Sequence, residues 1–268
     1  QTVTFADYDL DGFLDVFVGE WRMEGAGVSH IRLFRNRGAA QPGHFEDATA
    51  RADVRALELD SQVYSFGAAF YDLNGDLYPE MVHTVDFGNS AIHVNNGDGS
   101  LTRAADDVFG CCAVTGNSMG LSVGDYDNDL VWDIFWSDTA FCDDPLRGVD
   151  RDLTHHHTLF HGRLAADGRH IRFDEVAAAE RVNCTGWGWG AAFLDYDHDG
   201  YEDLAMTNGY FFWNSTFLHD PLRLWRNERP AAPRFRAVDA QLGLVDTQVG
   251  HGLVVWDPDG DGDLDVFV

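Results

Sequence analysis

An acidic nonapeptide occurs five times in these 268 residues, and few folds can accommodate it. The fullest copy is Asp195-Tyr196-Asp197-His198-Asp199-Gly200-Tyr201-Glu202-Asp203, with carboxylates at relative positions 1, 3, 5 and 9 and glycine at 6. This is the spacing of an oxygen-ligand calcium loop. Alternate side chains turn inward, glycine takes the sharp bend, position 7 offers its carbonyl and position 9 closes the shell. The other copies occupy 7–15, 72–80, 125–133 and 257–265, and successive copies start 65, 53, 70 and 62 residues apart. A period of about sixty residues is too long for a solenoid coil and suits one four-stranded propeller blade with its loops.

The flanks repeat too. Five residues before the first aspartate stands Gly67, Gly120, Gly190 or Gly252, with Thr2 in the first copy. Small residues there predict an innermost strand, where blades crowd together. A short apolar run follows each loop, as in Val16-Phe17-Val18 and Ile134-Phe135-Trp136, and predicts a second strand buried on both faces. Third strands are expected at Ile31–Asn36, Ala91–Asn96, Thr158–His161 and Leu222–Asn227, and outer strands near Phe45, Leu101, Phe173 and Phe235. Only Ala48–Leu57 offers a short helical turn. The expected fold is an all-β propeller over residues 1–268, a single partial domain of about four and a half blades. Because the sequence runs from Gln1 to Val268, inside an apolar run, it is expected to be a fragment of a longer, seven-bladed ring, the alternative being a five-bladed one.

Composition narrows the function. Hydrophobic residues make up 45% and aromatics 13%, enough for a packed core. Lys and Arg total 18 against 45 Asp and Glu, a formal net charge of −27. That balance argues against nucleic acid and anionic membrane surfaces, and an unneutralised fold would repel itself. Five divalent cations would remove more than a third of the charge. No apolar run is long enough to cross a membrane as a helix.

The Gly-Ala-Ala-Phe inner strand, the acidic loop and the apolar second strand together resemble the FG-GAP/VCBS repeat that builds the calcium-bearing propeller of integrin α chains. Leu33-Phe34-Arg35-Asn36, Phe45-Glu46-Asp47-Ala48-Thr49 and Thr207-Asn208-Gly209-Tyr210 are similar to the cartilage acidic protein branch and its bacterial relatives. The resemblance implies up to five Ca²⁺ ions. Their ligands would be Asp7, Asp9, Asp11 and Asp15; Asp72, Asn74, Asp76 and Glu80; and Asp125, Asp127, Asp129 and Asp133. The last two sets would be Asp195, Asp197, Asp199 and Asp203, and Asp257, Asp259, Asp261 and Asp265. Backbone carbonyls of Phe13, Tyr78, Val131, Tyr201 and Asp263 would complete the shells. The pattern is complete in loops one, four and five. Leu130 and Leu77 replace the position-6 glycine in loops three and two, a penalty of about 1–2 kcal/mol if φ must be positive. Loop two also carries Asn74 and Glu80, and departs furthest.

Competing readings fit less well. An EF-hand needs flanking helices and a glutamate at position 12, which is apolar here. Thrombospondin-type loop arrays have a much shorter period. A glycosidase carboxylate pair needs one asymmetric constellation, whereas five near-equal copies point to structure. His155, His156, His157 and His161 raise a zinc possibility, but on a strand His157 and His161 would lie about 13 Å apart, so they are expected as polar loop and strand-edge residues. Cys111, Cys112, Cys142 and Cys184 lack metal spacing; a Cys112–Cys142 disulfide is set against free buried thiols. Asn183-Cys184-Thr185 and Asn214-Ser215-Thr216 fit glycosylation sequons. Trp136, Trp187, Trp189 and Tyr210–Trp213 are expected on the face opposite the loops, as core or as a ligand surface. The expectation is a secreted or cell-surface, calcium-binding scaffold for an extracellular protein or glycan, not an enzyme. The alternative is a polysaccharide lyase-like enzyme on the same propeller.

Overall fold

The alternation of Ile31-Arg32-Leu33-Phe34 and the unbroken apolar run of Ile134-Phe135-Trp136 are strand patterns, and both segments are strands. The computed structural model describes residues 2–21, 31–54, 64–88, 90–104, 109, 116–140, 155–166, 171–210, 217–230 and 233–268. They form two compact units, Gln1–Thr115 with Leu164–Arg172, and Gly116–Arg163 with Phe173–Val268, each considered by itself.

Eighteen strands are described. The first sheet contains β1 (Thr2–Ala6), β2 (Asp15–Gly19), β3 (Ile31–Asn36) and β4 (Phe45–Asp47), hydrogen-bonded in chain order. The second contains β5 (Tyr64–Tyr71), β6 (Glu80–Asp86), β7 (Ala91–Asn95) and β8 (Leu101–Arg103). In the third are β9 (Leu121–Gly124), β10 (Asp133–Trp136), β11 (Thr158–Leu164) and β12 (Ile171–Glu175). The fourth is made of β13 (Gly188–Leu194), β14 (Asp203–Asn208), β15 (Arg223–Asn227) and β16 (Phe235–Ala237). A final hairpin pairs β17 (Val254–Trp256) with β18 (Asp265–Phe267). The fold is thus all-β, built of antiparallel meanders in the manner of propeller blades, and its strands fall where the repeat placed them. Among the described residues helix is limited to a 3₁₀ turn at Gly38–Ala40, one α-turn at Asp239–Leu242 and the single helical residues Val54 and Phe109. The expected helical turn after Ala48 is present as far as Val54, whose N–H bonds the Thr49 carbonyl at 3.1 Å; residues 55–57 lie outside the described set.

Register places the acidic loops identically. Position 9 opens the second strand and pairs with the residue just before position 1: Ala6 with Asp15, Tyr71 with Glu80, Gly124 with Asp133, Leu194 with Asp203, Trp256 with Asp265. Each loop therefore closes a first-to-second-strand hairpin.

Within each unit the first strands of successive sheets lie side by side, β1 with β5 in the first and β13 with β9 and β17 in the second, which explains the glycines of the second unit. A Cβ on Gly120 would stand 2.0 Å from the Trp189 carbonyl oxygen, and one on Gly190 2.6 Å from the Leu253 amide nitrogen. Strands β6, β10 and β14 are buried along nearly their whole length, as their apolar runs demand. By contrast, β2 alternates and β18 is exposed, so the expectation of second strands buried on both faces does not extend to them. Burial on both faces requires a covering layer on each side. In the first unit Tyr8, Phe17, Leu33, Ala68 and Met81 form one core. In the second, Tyr126, Phe135, Leu159, Leu204 and Trp225 form another. Position 2 of loops one and three thus supplies a core tyrosine, anchoring each loop to the packing beneath it.

Candidate metal centres

The loops are organised by carboxylates accepting backbone N–H groups. Position 1 takes both ends of the turn: Asp195 Oδ1 accepts from Asp199 N–H at 3.1 Å and Oδ2 from Gly200 N–H at 2.9 Å. Asp7, Asp72, Asp125 and Asp257 do the same. Position 5 accepts the N–H of position 7, holding the backbone of Phe13, Tyr78, Val131, Tyr201 and Asp263 against the loop. Position 9 reaches back to the N–H of position 2 and across to the end of the third strand. Asp203 Oδ2 accepts from Tyr196 N–H at 3.1 Å and Oδ1 from Asn227 N–H at 2.7 Å. Asp15, Glu80 and Asp133 repeat both bonds.

Backbone conformation is shared as well. Position 6 has positive φ in all five copies: +88° at Gly12, +80° at Leu77, +69° at Leu130, +86° at Gly200 and +95° at Gly262. The leucines that seemed to set loops two and three apart therefore adopt the same bend, with their side chains exposed to solvent. Position 4 is also left-handed, at Leu10, Gly75, Asn128, His198 and Gly260, a requirement the glycine pattern did not reveal. The network of amide bonds to positions 1 and 5 outweighs the local cost of about 1–2 kcal/mol per branched residue.

Third strands add residues that the acidic motif does not contain. Arg35 pairs with Asp9 and Asp11, and Arg226 donates from Nε to Asp197 at 2.6 Å and from Nη2 to Asp199 at 3.1 Å. The same register position is Val94 in the second sheet and His161 in the third, where His161 Nδ1 lies 3.2 Å from Asp133 Oδ1. The next residue is Asn36, Asn95, Gly162 or Asn227. Asn95 Nδ2 bonds the carbonyl of Tyr8 in the preceding loop at 2.8 Å and that of Pro79 at 3.1 Å. Asn227 likewise joins Tyr126 and Glu202, at 2.6 and 3.0 Å. The recurrence of Arg-Asn after two apolar residues was the available sign of these roles.

These contacts bring ligand atoms together. Within 4.8 Å of one another lie atoms of Asp7, Asp9 and Asp15; of Asp125, Asp127 and Asp129; of Asp195, Asp197 and Asp199; and of Asp257, Asp259 and Asp261. Asp127, Asp133 and His161 form a further group that shares Asp127. Asp11, Asp265, and Asp203 in its backbone clasp, stand outside these groups. Loop two forms no such group among the described residues; Asn74 Nδ2 bonds Asp76 Oδ2 and Glu80 Oε1, both at 3.1 Å, so its amide ties these acids together directly. The groups fit a hard divalent cation. At position 3, Asp9, Asp127 and Asp197 each keep a buried Oδ1 without a hydrogen-bond partner, the orphaned acceptor that a cation satisfies. Burial pushes the position-9 carboxyls up, Asp15 and Asp133 to about 6 and Glu80 and Asp203 to about 7, against the pull of the backbone N–H bonds. A nearby cation would favour their charged forms.

The remaining candidates separate. His157, expected on a loop or edge, is fully buried: its Nδ1 accepts the Asp138 N–H at 3.0 Å and its Nε2 faces Thr185 Oγ1 at 3.0 Å. Burial pushes its pKa down to about 4, so it stays neutral as a cross-link. His161 is not an edge residue either, since it joins the third loop. Trp136 is core. Trp187 stacks on Tyr210 at 3.8 Å and 9°, at the end of the fourth sheet away from its loop; Phe211, Phe212 and Trp213 lie outside the described residues. Cys184 is disulfide-bonded. Cys111, Cys112 and Cys142, with the expected 112–142 bridge, lie outside the described residues, as does Asn214.

Meandering four-stranded sheets with an acidic hairpin loop define a blade-type repeat protein. Comparison with known families agrees. The FG-GAP-like repeat matches residues 7–83 and 72–136, and the FG-GAP repeat matches 187–218, more than half of the chain together. The chain belongs to the FG-GAP-repeat proteins. No curated protein matches it significantly.

Proposed function

We propose that the chain is a calcium-stabilised β-propeller scaffold of a secreted or cell-surface protein, which binds an extracellular protein or glycan and carries out no catalysis. The observation that carries this reading is the orphaned, inward Oδ1 of Asp9, Asp127 and Asp197, repeated at one motif position in three loops. Calcium would satisfy those oxygens, offset the repulsion among the acids and add its binding free energy to folding. Loops one, three, four and five hold the ion-sized groups, whereas the second is closed by Asn74. The reading draws further support from the Cys184 disulfide, since disulfides persist where calcium is millimolar. No described helix is long and apolar enough to cross a membrane. The half-buried Trp187–Tyr210 stack offers a flat aromatic face of the kind that packs on a sugar ring or an apolar side chain. Scanning calorimetry tests the metal role: calcium raises the melting temperature above that in chelator, and equal values would refute it. Glycan-array binding without turnover is the expected result for the partner role.

A further inference from the structure

The third loop differs from its neighbours in donor chemistry. In loops one and four the third strand lays an arginine over positions 3 and 5, a cation that cannot ligate a metal. In loop three the same register carries an imidazole, and its ligand nitrogen lies within 4.8 Å of carboxylate oxygens of both Asp127 and Asp133. The remaining charge is arranged around that difference. Asp127 is 5% exposed; its Oδ2 faces Arg234 at 3.2 Å and Arg229 at 3.5 Å, while its Oδ1 has no partner. Asp133 is fully buried and oriented by the N–H groups of Tyr126 and Gly162. The imidazole meets the Tyr126 ring edge-on, with 5.9 Å between centroids. Gly162, where two other fully described sheets have an asparagine beside an arginine, leaves no room for a side chain: a Cβ would stand 2.1 Å from the Trp132 carbonyl oxygen.

Calcium prefers oxygen ligands, whereas imidazole with two carboxylates suits zinc and its borderline neighbours. We infer that the third loop is a site for a transition-metal dication of the zinc and cobalt(II) class, held by His161 Nδ1, Asp127 and Asp133. Three protein ligands leave a position for water or for a donor from a partner. In this state His161 carries its proton on Nε2, and Nδ1 exchanges its contact with Asp133 for the metal. The calcium reading enters only through the contrast with loops one and four. Asp127 belongs both to this group and to the all-carboxylate group with Asp125 and Asp129, and the imidazole-bearing group holds it for the transition metal in preference to calcium.

The test uses the whole chain, stripped of metal and returned to millimolar calcium, then titrated with cobalt(II). Visible d–d absorption and calorimetry follow the binding. One equivalent of cobalt is expected, displaced by zinc and not by calcium. His161→Arg, which installs the residue that loops one and four already carry, and His161→Gln should each weaken it by about tenfold or more, with far-UV circular dichroism unchanged. Cobalt affinity equal to wild type in both folded variants overturns the proposal, as does displacement by calcium. Calcium uptake is counted separately in the same samples. If it is absent, the calcium reading fails, while the His161-dependent cobalt signal is judged independently.

Discussion

Loops three and four have the same backbone and different chemistry. Both are left-handed at positions 4 and 6, both wrap two amides around the first carboxylate, and both bury the ninth. Yet loop four bends at Gly200 and faces Arg226, whereas loop three bends at Leu130 and faces His161. Their position-3 aspartates are also neutralised differently: Asp197 by its own third strand, Asp127 by Arg229 and Arg234 beyond β15. The comparison separates two tasks. Carboxylate-to-amide bonds shape the hairpin, and they tolerate a leucine at the bend. Third-strand residues then set which side chain, guanidinium or imidazole, faces the finished cage.

The largest expected effect falls on the shared framework. Asp133→Ala and Asp203→Ala should each lower stability by about 3 kcal/mol in chelator, because each strands two buried amide donors. Denaturant unfolding measures it, and a loss below about 1 kcal/mol in either would break the parallel. The exposed Asp265, at the same motif position, should cost less than about 0.5 kcal/mol when changed to alanine.

Exchange of the third-strand residues sharpens the difference. Arg226→His should confer a second cobalt equivalent on the chain in millimolar calcium if the imidazole alone sets the preference. No gain, with His161→Arg still losing its equivalent, would assign a share to Gly162 and the local strand approach.

A smaller effect concerns pH. Asp133 and Asp203 are pushed up, to about 6 and about 7. A carboxyl raised in the folded state contributes its stability fully below its unfolded pKa of about 4 and loses it as pH rises through the folded value. The metal-free protein loses this contribution between about pH 4 and pH 7, whereas a cation-loaded site does not. The melting-temperature difference between calcium and chelator should therefore widen across that window. Taking the difference cancels the opposite contributions of His83 and His157, two buried imidazoles whose pKa burial pushes down to about 4. A constant difference would count against a bound ion close enough to hold Asp133 and Asp203 charged.

Least of all, Leu130→Gly should stabilise by about 0.5 kcal/mol. It relieves the left-handed strain and removes a side chain that is 92% exposed, partly offset by a more flexible unfolded chain. A clear loss would show that Leu130 makes a contact which the bend does not explain.

Much of this was legible in the sequence, for a physical reason. A nine-residue loop with carboxylates at 1, 3, 5 and 9 is a local object, and strand periods are local too, so the hairpins, the sheet order and the positions of the loops could be read from spacing alone. The third-strand contacts could not. His161 follows Asp133 by 28 residues, and whether it reaches the loop or solvent depends on β11 pairing with β10 in one register. Burial of His157, the bond from Asn227 to Tyr126 and the tolerance for Leu77 and Leu130 likewise arise from packing between elements distant in the chain. The amino-acid order by itself determined an all-β repeat with an acidic cage in each hairpin. Tertiary structure decided which residues lean over each cage, because only the paired sheet brings Arg35, Arg226 or His161 across to it.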